Sequence, residues 1–356
     1  MKDLDEIVLG ITDLDAEHMK AAQERQNTLT KPAGSLGILE QISIRLAGMQ
    51  GTTRPVIGKK TVIVMAGDHG ITEEGVSAYP TDVTAQMVYN FAAGGAAVNV
   101  LAKQAEADVV VVDVGVNQVI DSKQVIAKKV RPGTANMTKG PAMTRDEALA
   151  AIFVGVEVAE EVIAKGASLI ATGDMGIGNT SASSAIISIL GSIELEDIVG
   201  RGTGVDDEGL DRKRLAIRKA IDVNKPDSQD PLDVLHKVGG LEIAGLSGVI
   251  MACARRRTPV VIDGFISSAA ALVAAKIAPK SVNYMIASHL SAESGHSLAL
   301  AEVGLTPMLH MNMRLGEGTG AVIAMNIIHS AAKLMQDMAT FEEASVSEEI
   351  PVEKIK

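Results

Sequence analysis

A single carboxylate, Glu317, stands among Gly316, Gly318 and Gly320 in the stretch HMNMRLGEGTGAVIAMNII, residues 310–328. Glycines at such spacing let the backbone take positive φ and approach a ligand closely, and the apolar run behind them predicts a buried helix. Glu317 then belongs where a loop meets a helix. A carboxylate there can simply cap the first turn, so the spacing alone leaves its task open. A second loop, ATGDMGIGNTSASSAIISIL from Ala171, places Gly173, Gly176 and Gly178 between a strand end and a helix beginning among Asn179, Thr180 and Ser181. Free N–H groups and the helix dipole make such a start a phosphate site, although a tight connection has the same glycines. Its spacing is neither GxGxxG nor a Walker A pattern, so a dinucleotide site is not supported. A third loop, with Gly200, Gly202 and Gly204, runs into a helix bearing Arg212, Lys213 and Arg214. A lysine at that edge is a useful point charge for phosphate, while a charge run on a helix also describes an ordinary solvated face.

Other candidates are weaker. Asp68 and His69 have no second histidine at HExxH spacing, and the chain has no GxSxG elbow, so His69 reads as a satisfied rim histidine. His289 and His296 lie seven apart, a poor metal signal, and no metal site is predicted. KPAGSLGILEQI from Lys31 reads as a capped turn before a helix, and Met308, Met311 and Met313 as apolar lining. The lone Cys253 excludes an internal disulfide and a multi-thiolate metal site and fits a reducing compartment.

Five β-branched runs must position these residues: TVIVMAGDHG from 61, DVVVVDVGV from 108, SLIATGDMG from 168, PVVIDGF from 259 and NYMIASHLS from 283. Separated by Ala-rich helical patterns at 142–165 and 266–278, they predict a doubly wound, Rossmann-like α/β fold with a mostly parallel sheet. Ligands in such sheets bind beyond the carboxyl ends of the strands, which here carry Asp68, His69, Asp113, Asp174, Asp263, Ser288, His289 and Ser291. Residues 55–315 are expected to form the large domain, with 1–54 and 316–356 joining as a small helical subdomain. The charged end, EEASVSEEIPVEKIK, is expected to be mobile. With 47% hydrophobic residues but only 2% aromatic ones and no Trp, the chain must build a closely packed, aliphatic core. The net charge of −11 argues against a nucleic-acid partner, which needs a basic stripe. The acidic start carries no signal-peptide pattern, and no apolar run reaches the ~18 residues of a membrane span, so a soluble cytoplasmic protein is expected.

With these residues in view, the chain resembles the nicotinate-nucleotide:dimethylbenzimidazole phosphoribosyltransferases, which make the lower-ligand nucleotide of cobamides. The resemblance runs in order through LTKPAGSLGILE, MAGDHGITEEGVSAYP, TGDMGIGNTSASSAI, IDGFISSAAAL, SHLSAESG and MRLGEGTGA, nearly the whole chain. It implies a dimeric enzyme without a cofactor that moves phosphoribose from nicotinate mononucleotide to a base with β-to-α inversion. It also implies that Glu317 is the general base, Asp174 a supporting carboxylate in place of the family's usual Glu, and Gly176, Gly178, Asn179, Thr180, Gly202, Lys213 and Ser291 the phosphate and ribose site.

The implied base pocket departs from the benzimidazole pattern. Tyr79, Met87 and Met175, with Leu315, align where Ser, Gln and Leu are common, which is similar to the A subunit of a heterodimeric branch that activates phenol and p-cresol. The resemblance therefore implies a phenolic acceptor, with 5,6-dimethylbenzimidazole also accommodated, and a homodimer or a heterodimer with a paralogue. Phenol has a pKa about 10 and free Glu about 4.3, so prior proton transfer would cost roughly 8 kcal/mol. Deprotonation concerted with bond formation is expected instead. Two other classes compete: a non-catalytic subunit whose paralogue does the chemistry, disfavoured by the intact Glu317 and glycine loops, and a nicotinamide oxidoreductase, disfavoured by the missing fingerprint.

Overall fold

The computed structural model describes residues 3–202 and 204–347. Six strands form one sheet: β1 (Lys59–Gly67), β2 (Ala107–Gly115), β3 (Val125–Ala127), β4 (Ala167–Met175), β5 (Val260–Ile262) and β6 (Met285–Ala287). Their order is β3-β2-β1-β4-β5-β6 and every pairing is parallel. The five runs of β-branched residues supply five of these strands. The short β3 went unrecognised, as did a parallel pair formed by β7 (His289–Leu290) and β8 (Leu309–His310), because two or three residues carry too little pattern.

The chain winds outward from β1 on one side and from β4 on the other, so the order reverses between β1 and β4. Such a reversal leaves a crevice at the carboxyl ends, because the two flanking connections leave toward opposite faces of the sheet. In register, Val64 pairs with Gly173, Met65 with Asp174 and Ala66 with Met175, which brings the GDHG and GDMG segments side by side at its lip.

Helices cover both faces. The Arg145–Ala164 helix begins with a reciprocal cap, Thr144 Oγ to Glu147 N and Glu147 carboxylate to Thr144 N, as its sequence pattern dictates. It crosses the Leu241–Arg255 helix at very short range. A Cβ on Gly155 would lie 1.8 Å from the Gly245 carbonyl oxygen, and one on Gly248 would lie 1.9 Å from that of Ile152. Small residues thus replace the missing aromatics by letting helix backbones touch. Gly155→Ala is expected to cost about 2–3 kcal/mol, because backbone rather than a flexible side chain must yield, read as a lower denaturant midpoint.

As the pattern predicts, the regular elements of residues 3–50 are helices, Leu4–Leu9, Ala16–Thr28 and Ile38–Gln50. KPAGSLG forms the turn before the last of these, where Lys31 and Glu40 make a buried ion pair at 2.9 Å. Ala22, Ala47 and Met335 form a small apolar cluster joining the second and third helices to the long Thr319–Asp337 helix. The other end of that long helix packs on the sheet, with Ala321 and Val322 in the main core. The charged end begins as a short helix, Phe341–Ala344, and residues 348–356 of that segment lie outside the described residues. Among the described residues no helix is long and apolar enough to cross a membrane.

Candidate active site at the sheet switch point

Glu317 lies at the start of the Thr319–Asp337 helix but does not cap it. The cap comes from Asp263, just after β5, whose two carboxylate oxygens accept Gly318 N (3.1 Å) and Ala321 N (2.9 Å). Capping of its own helix is therefore ruled out as the task of Glu317. Residues 316, 317 and 318 take φ of 83°, 64° and 93° in succession. A non-glycine residue in that region carries a backbone cost of about 1–2 kcal/mol, so the carboxylate is present despite the conformation. Its backbone lies against β4, where a Cβ on Gly173 would fall 2.5 Å from the Glu317 carbonyl oxygen. The carboxyl group accepts the Val98 N–H and is 6% exposed, while Oε2 has no hydrogen-bond partner. Burial, with the nearby Asp263 charge adding to it, pushes its pKa up to about 7.

Asp174, at the end of β4, is buried beside this loop, and a Cβ on Gly316 would sit 3.3 Å from its Oδ2. That oxygen accepts Asn179 Nδ2 at 3.0 Å, and Oδ1 has no partner. Burial, reinforced by Asp263 and Glu242, raises the Asp174 pKa well above the usual range. A carboxyl kept protonated can donate a hydrogen bond from its free oxygen, which a carboxylate cannot do. His69 is satisfied, as its sequence context suggests: its Nε2 lies 2.5 Å from Glu242 Oε1, both groups fully buried. This pair supports the glycine loop from below, since a Cβ on Gly176 would meet His69 Nε2 and Glu242 Oε1 at 3.3 Å and the Gly67 carbonyl oxygen at 2.3 Å.

The anion set comes together from three elements. Gly178, at φ 96°, is the N-cap of the Asn179–Gly191 helix. Lys213, from the Asp207–Asn224 helix, is 1% exposed and does not belong to a solvated face. Its Nζ donates to Thr180 Oγ1 at 2.8 Å and to the Gly200 carbonyl at 3.0 Å. Burial pushes its pKa down to about 8, partly countered by Glu293. Gly202, at φ 51°, is held close, where a Cβ would lie 2.7 Å from Thr180 Oγ1 and 3.2 Å from Lys213 Nζ. Ser291 is buried, and its Oγ accepts Glu293 N at 3.2 Å.

The four residues aligned to a base pocket are less tightly drawn together. Met87, on the Asp82–Ala93 helix, and Met175 are half-buried against the core, and that helix is tied to the end of β4 by Ile177 N donating to Thr84 Oγ1 at 3.1 Å. Tyr79 and Leu315 are 55% and 58% exposed on the loops before the two helices that flank the crevice. Met311, expected to line a cavity, is instead 45% exposed. Asp263, Glu242, Glu293 and Arg314 received no role in the sequence reading. Asp263 stood on the predicted strand-end rim, but nothing in its spacing reveals that it caps a helix start 55 to 58 positions later.

Comparison with known proteins shows the family. A family model described as phosphoribosyltransferase matches residues 11–346. The nicotinate-nucleotide–dimethylbenzimidazole phosphoribosyltransferase of Halalkalibacterium halodurans is 52% identical over 347 residues, 98% of this chain and 97% of that one. Its namesake from Desulforudis audaxviator is 53% identical over 336 residues, 94% and 95% of the two chains. The crystal structure of the enzyme so named from Thermus thermophilus superposes with a TM-score of 0.90 at 46% identity, covering 94% of this chain and all of that one. The chain belongs to the nicotinate-nucleotide–dimethylbenzimidazole phosphoribosyltransferase family.

Proposed function

We propose that this protein transfers the 5-phosphoribosyl group of nicotinate mononucleotide to an aromatic lower-ligand base, with Glu317 as the proton acceptor. The observation that carries this reading is the buried Glu317 carboxyl, with Oε2 unpartnered, on a loop packed against Gly173 and Asp174 at the end of the strand that leads into the Gly176–Thr180 loop. The donor's phosphate and ribose lie along Gly176, Gly178, Asn179, Thr180, Gly202, Lys213 and Ser291. The acceptor lies among Met87, Met175, Tyr79 and Leu315. Its nucleophilic atom forms a bond to C1′ from the face opposite nicotinate, and the electrons of the breaking C1′–N bond neutralise the pyridinium. The acceptor's proton passes to Glu317. Nicotinate leaves, and the β linkage becomes α. Asp174, buried beside the Glu317 loop with Oδ1 unpartnered, is the supporting carboxyl group. Positioning and charge placement supply most of the acceleration.

The names of the similar enzymes support 5,6-dimethylbenzimidazole as an acceptor. A second reading, phenol or p-cresol as the preferred acceptor, rests on residue type: an aromatic ring and two thioethers stand at Tyr79, Met87 and Met175, the positions aligned to the base pocket. With Glu317 at about 7, proton transfer from a phenol at about 10 costs roughly 4 kcal/mol, half the cost from an unperturbed glutamate, and is met by transfer concerted with C–O bond formation. A paralogous partner subunit belongs to this second reading.

The test is product formation from nicotinate mononucleotide with phenol, p-cresol or 5,6-dimethylbenzimidazole, using the chain alone and with its paralogue. Failure with every acceptor in both assemblies would sink the transferase reading and leave the non-catalytic subunit. Tyr79→Ser with Met87→Gln is expected to shift the phenol-to-benzimidazole rate ratio about tenfold toward benzimidazole, the size of one or two pocket contacts. Unchanged rates for both acceptors would overturn the phenolic reading.

A further inference from the structure

His296 is fully buried at the start of the His296–Val303 helix, away from the reacting atoms, yet both of its ring nitrogens are engaged. Nδ1 lies 2.8 Å from the backbone nitrogen of Ser291, and Nε2 lies 2.9 Å from Ser268 Oγ. A backbone N–H can only donate, so Nδ1 must be the unprotonated acceptor. The ring proton is then on Nε2, directed at Ser268. This is a neutral imidazole of fixed tautomer, and burial, with His289 adding to it, pushes its pKa down to about 3. The ring is an uncharged bracket between the Phe265–Ile277 helix and the turn that follows β7.

The turn it holds reaches the anion set. Ser291 Oγ accepts Glu293 N, and the Glu293 carboxylate accepts the Gly202 N–H and lies against Gly200, where a Cβ would fall 2.6 Å from Oε2. Arg314 holds the other side of the same residue, its Nη1 donating to the Gly202 carbonyl at 2.9 Å. Gly200 in turn accepts from Lys213 Nζ. A buried ring thus connects a rigid helix to the loop that carries the phosphate-facing lysine's partners. We propose that His296 is a positioning residue for the phosphoribosyl donor, holding the Ser291 turn and, through Glu293, the Gly200–Gly202 loop in the geometry that receives phosphate and ribose. This rests on the reading of Ser291, Gly202 and Lys213 as the donor's phosphate and ribose site.

The two carboxamide replacements separate the ring's two jobs. Asparagine places an oxygen near the position of Nδ1 and can still accept the Ser291 N–H, whereas glutamine reaches toward Ser268 and leaves that N–H buried without an acceptor. His296→Gln is expected to raise the donor KM, and the Kd for nicotinate mononucleotide by calorimetry, about tenfold, with the acceptor KM unchanged and His296→Asn close to the parent. Equal effects of the two variants, or a shift in kcat with neither KM, would overturn the proposal. Should His296→Gln not fold, Ser268→Ala leaves the Nε2–H without its acceptor and releases the ring from the helix without touching the turn, and is expected to weaken donor binding about threefold, as for one neutral hydrogen bond; unchanged binding would overturn the inference. Lys213→Met and Ser291→Ala are the controls for the underlying site. If they leave donor KM unchanged, the phosphate reading fails and the inference with it. If they raise it while the His296 and Ser268 variants do not, only the positioning role fails.

Discussion

Glu317→Gln is expected to lower kcat about 100- to 10,000-fold with the fold intact, the range associated with loss of a positioned general base. Glutamine preserves shape and can still accept the Val98 N–H through its carbonyl oxygen, so what is lost is the ability to take a proton. The pH profile provides the discriminating readout. Glu317 must be unprotonated to act as base, so kcat/KM of the parent should rise with pH through about 7, and this rising limb should vanish in the variant. A variant within threefold of the parent, with the limb retained, would remove Glu317 from the chemistry. Stability should move in the opposite direction. The folded pKa is raised above the ordinary value of 4.5, so the folded state binds the proton more tightly than the unfolded state. Stability from this group is full below about 4.5, declines as pH rises to about 7, and is then lower by about 3 kcal/mol. The glutamine variant should therefore be the more stable protein above neutral pH, seen as a higher urea midpoint at pH 8 but not at pH 4.

Lys213→Met should raise the KM for nicotinate mononucleotide about 100-fold while changing the acceptor KM little, because truncating one partner of a buried charge pair costs about 2–5 kcal/mol. The lysine is cationic below about 8, so donor binding by the parent should weaken as pH rises through that value. Together with the Glu317 limb this gives a narrow bell in kcat/KM, rising near 7 and falling near 8. Methionine removes the upper limb. Its volume is close to that of lysine and it needs no solvation in a site that is 1% exposed. Here the folded pKa is depressed from 10.5 to about 8, so the penalty of holding the charge is present in full below about 8 and fades as pH approaches 10.5. The methionine variant should accordingly gain stability at pH 7, with a shrinking advantage in alkali. An unchanged donor KM would remove Lys213 from the phosphate site. Both substitutions address one arrangement: ionisable groups held buried at an energetic cost.

Much of this was legible from local pattern. Continuous β-branched runs require burial on both faces, and five of them separated by helical patterns leave a parallel sheet as the consistent solution. The same logic placed Asp174, Glu317 and the glycine loops at strand ends and helix starts, where conformation depends on the residues within a few positions. What local pattern left open was the meaning of each charge. Lys213 and its neighbours Arg212 and Arg214 are indistinguishable in sequence, yet one is buried and the others are not, because only one faces Thr180 and Gly200 from elsewhere in the chain.

The sequence by itself determined five of the six strands of the main sheet, the doubly wound class and the presence of a carboxylate among glycines, since these follow from periodicity and backbone freedom over short windows. Tertiary structure alone decided that Asp263 caps the helix behind Glu317 and that Oε2 of that carboxyl has no partner, and that Glu242 satisfies His69. It also decided that the strand order reverses between β1 and β4. The reason is physical: desolvation and hydrogen-bond pairing are set by distances between groups 55 to 173 positions apart, and those distances exist only once the sheet has formed.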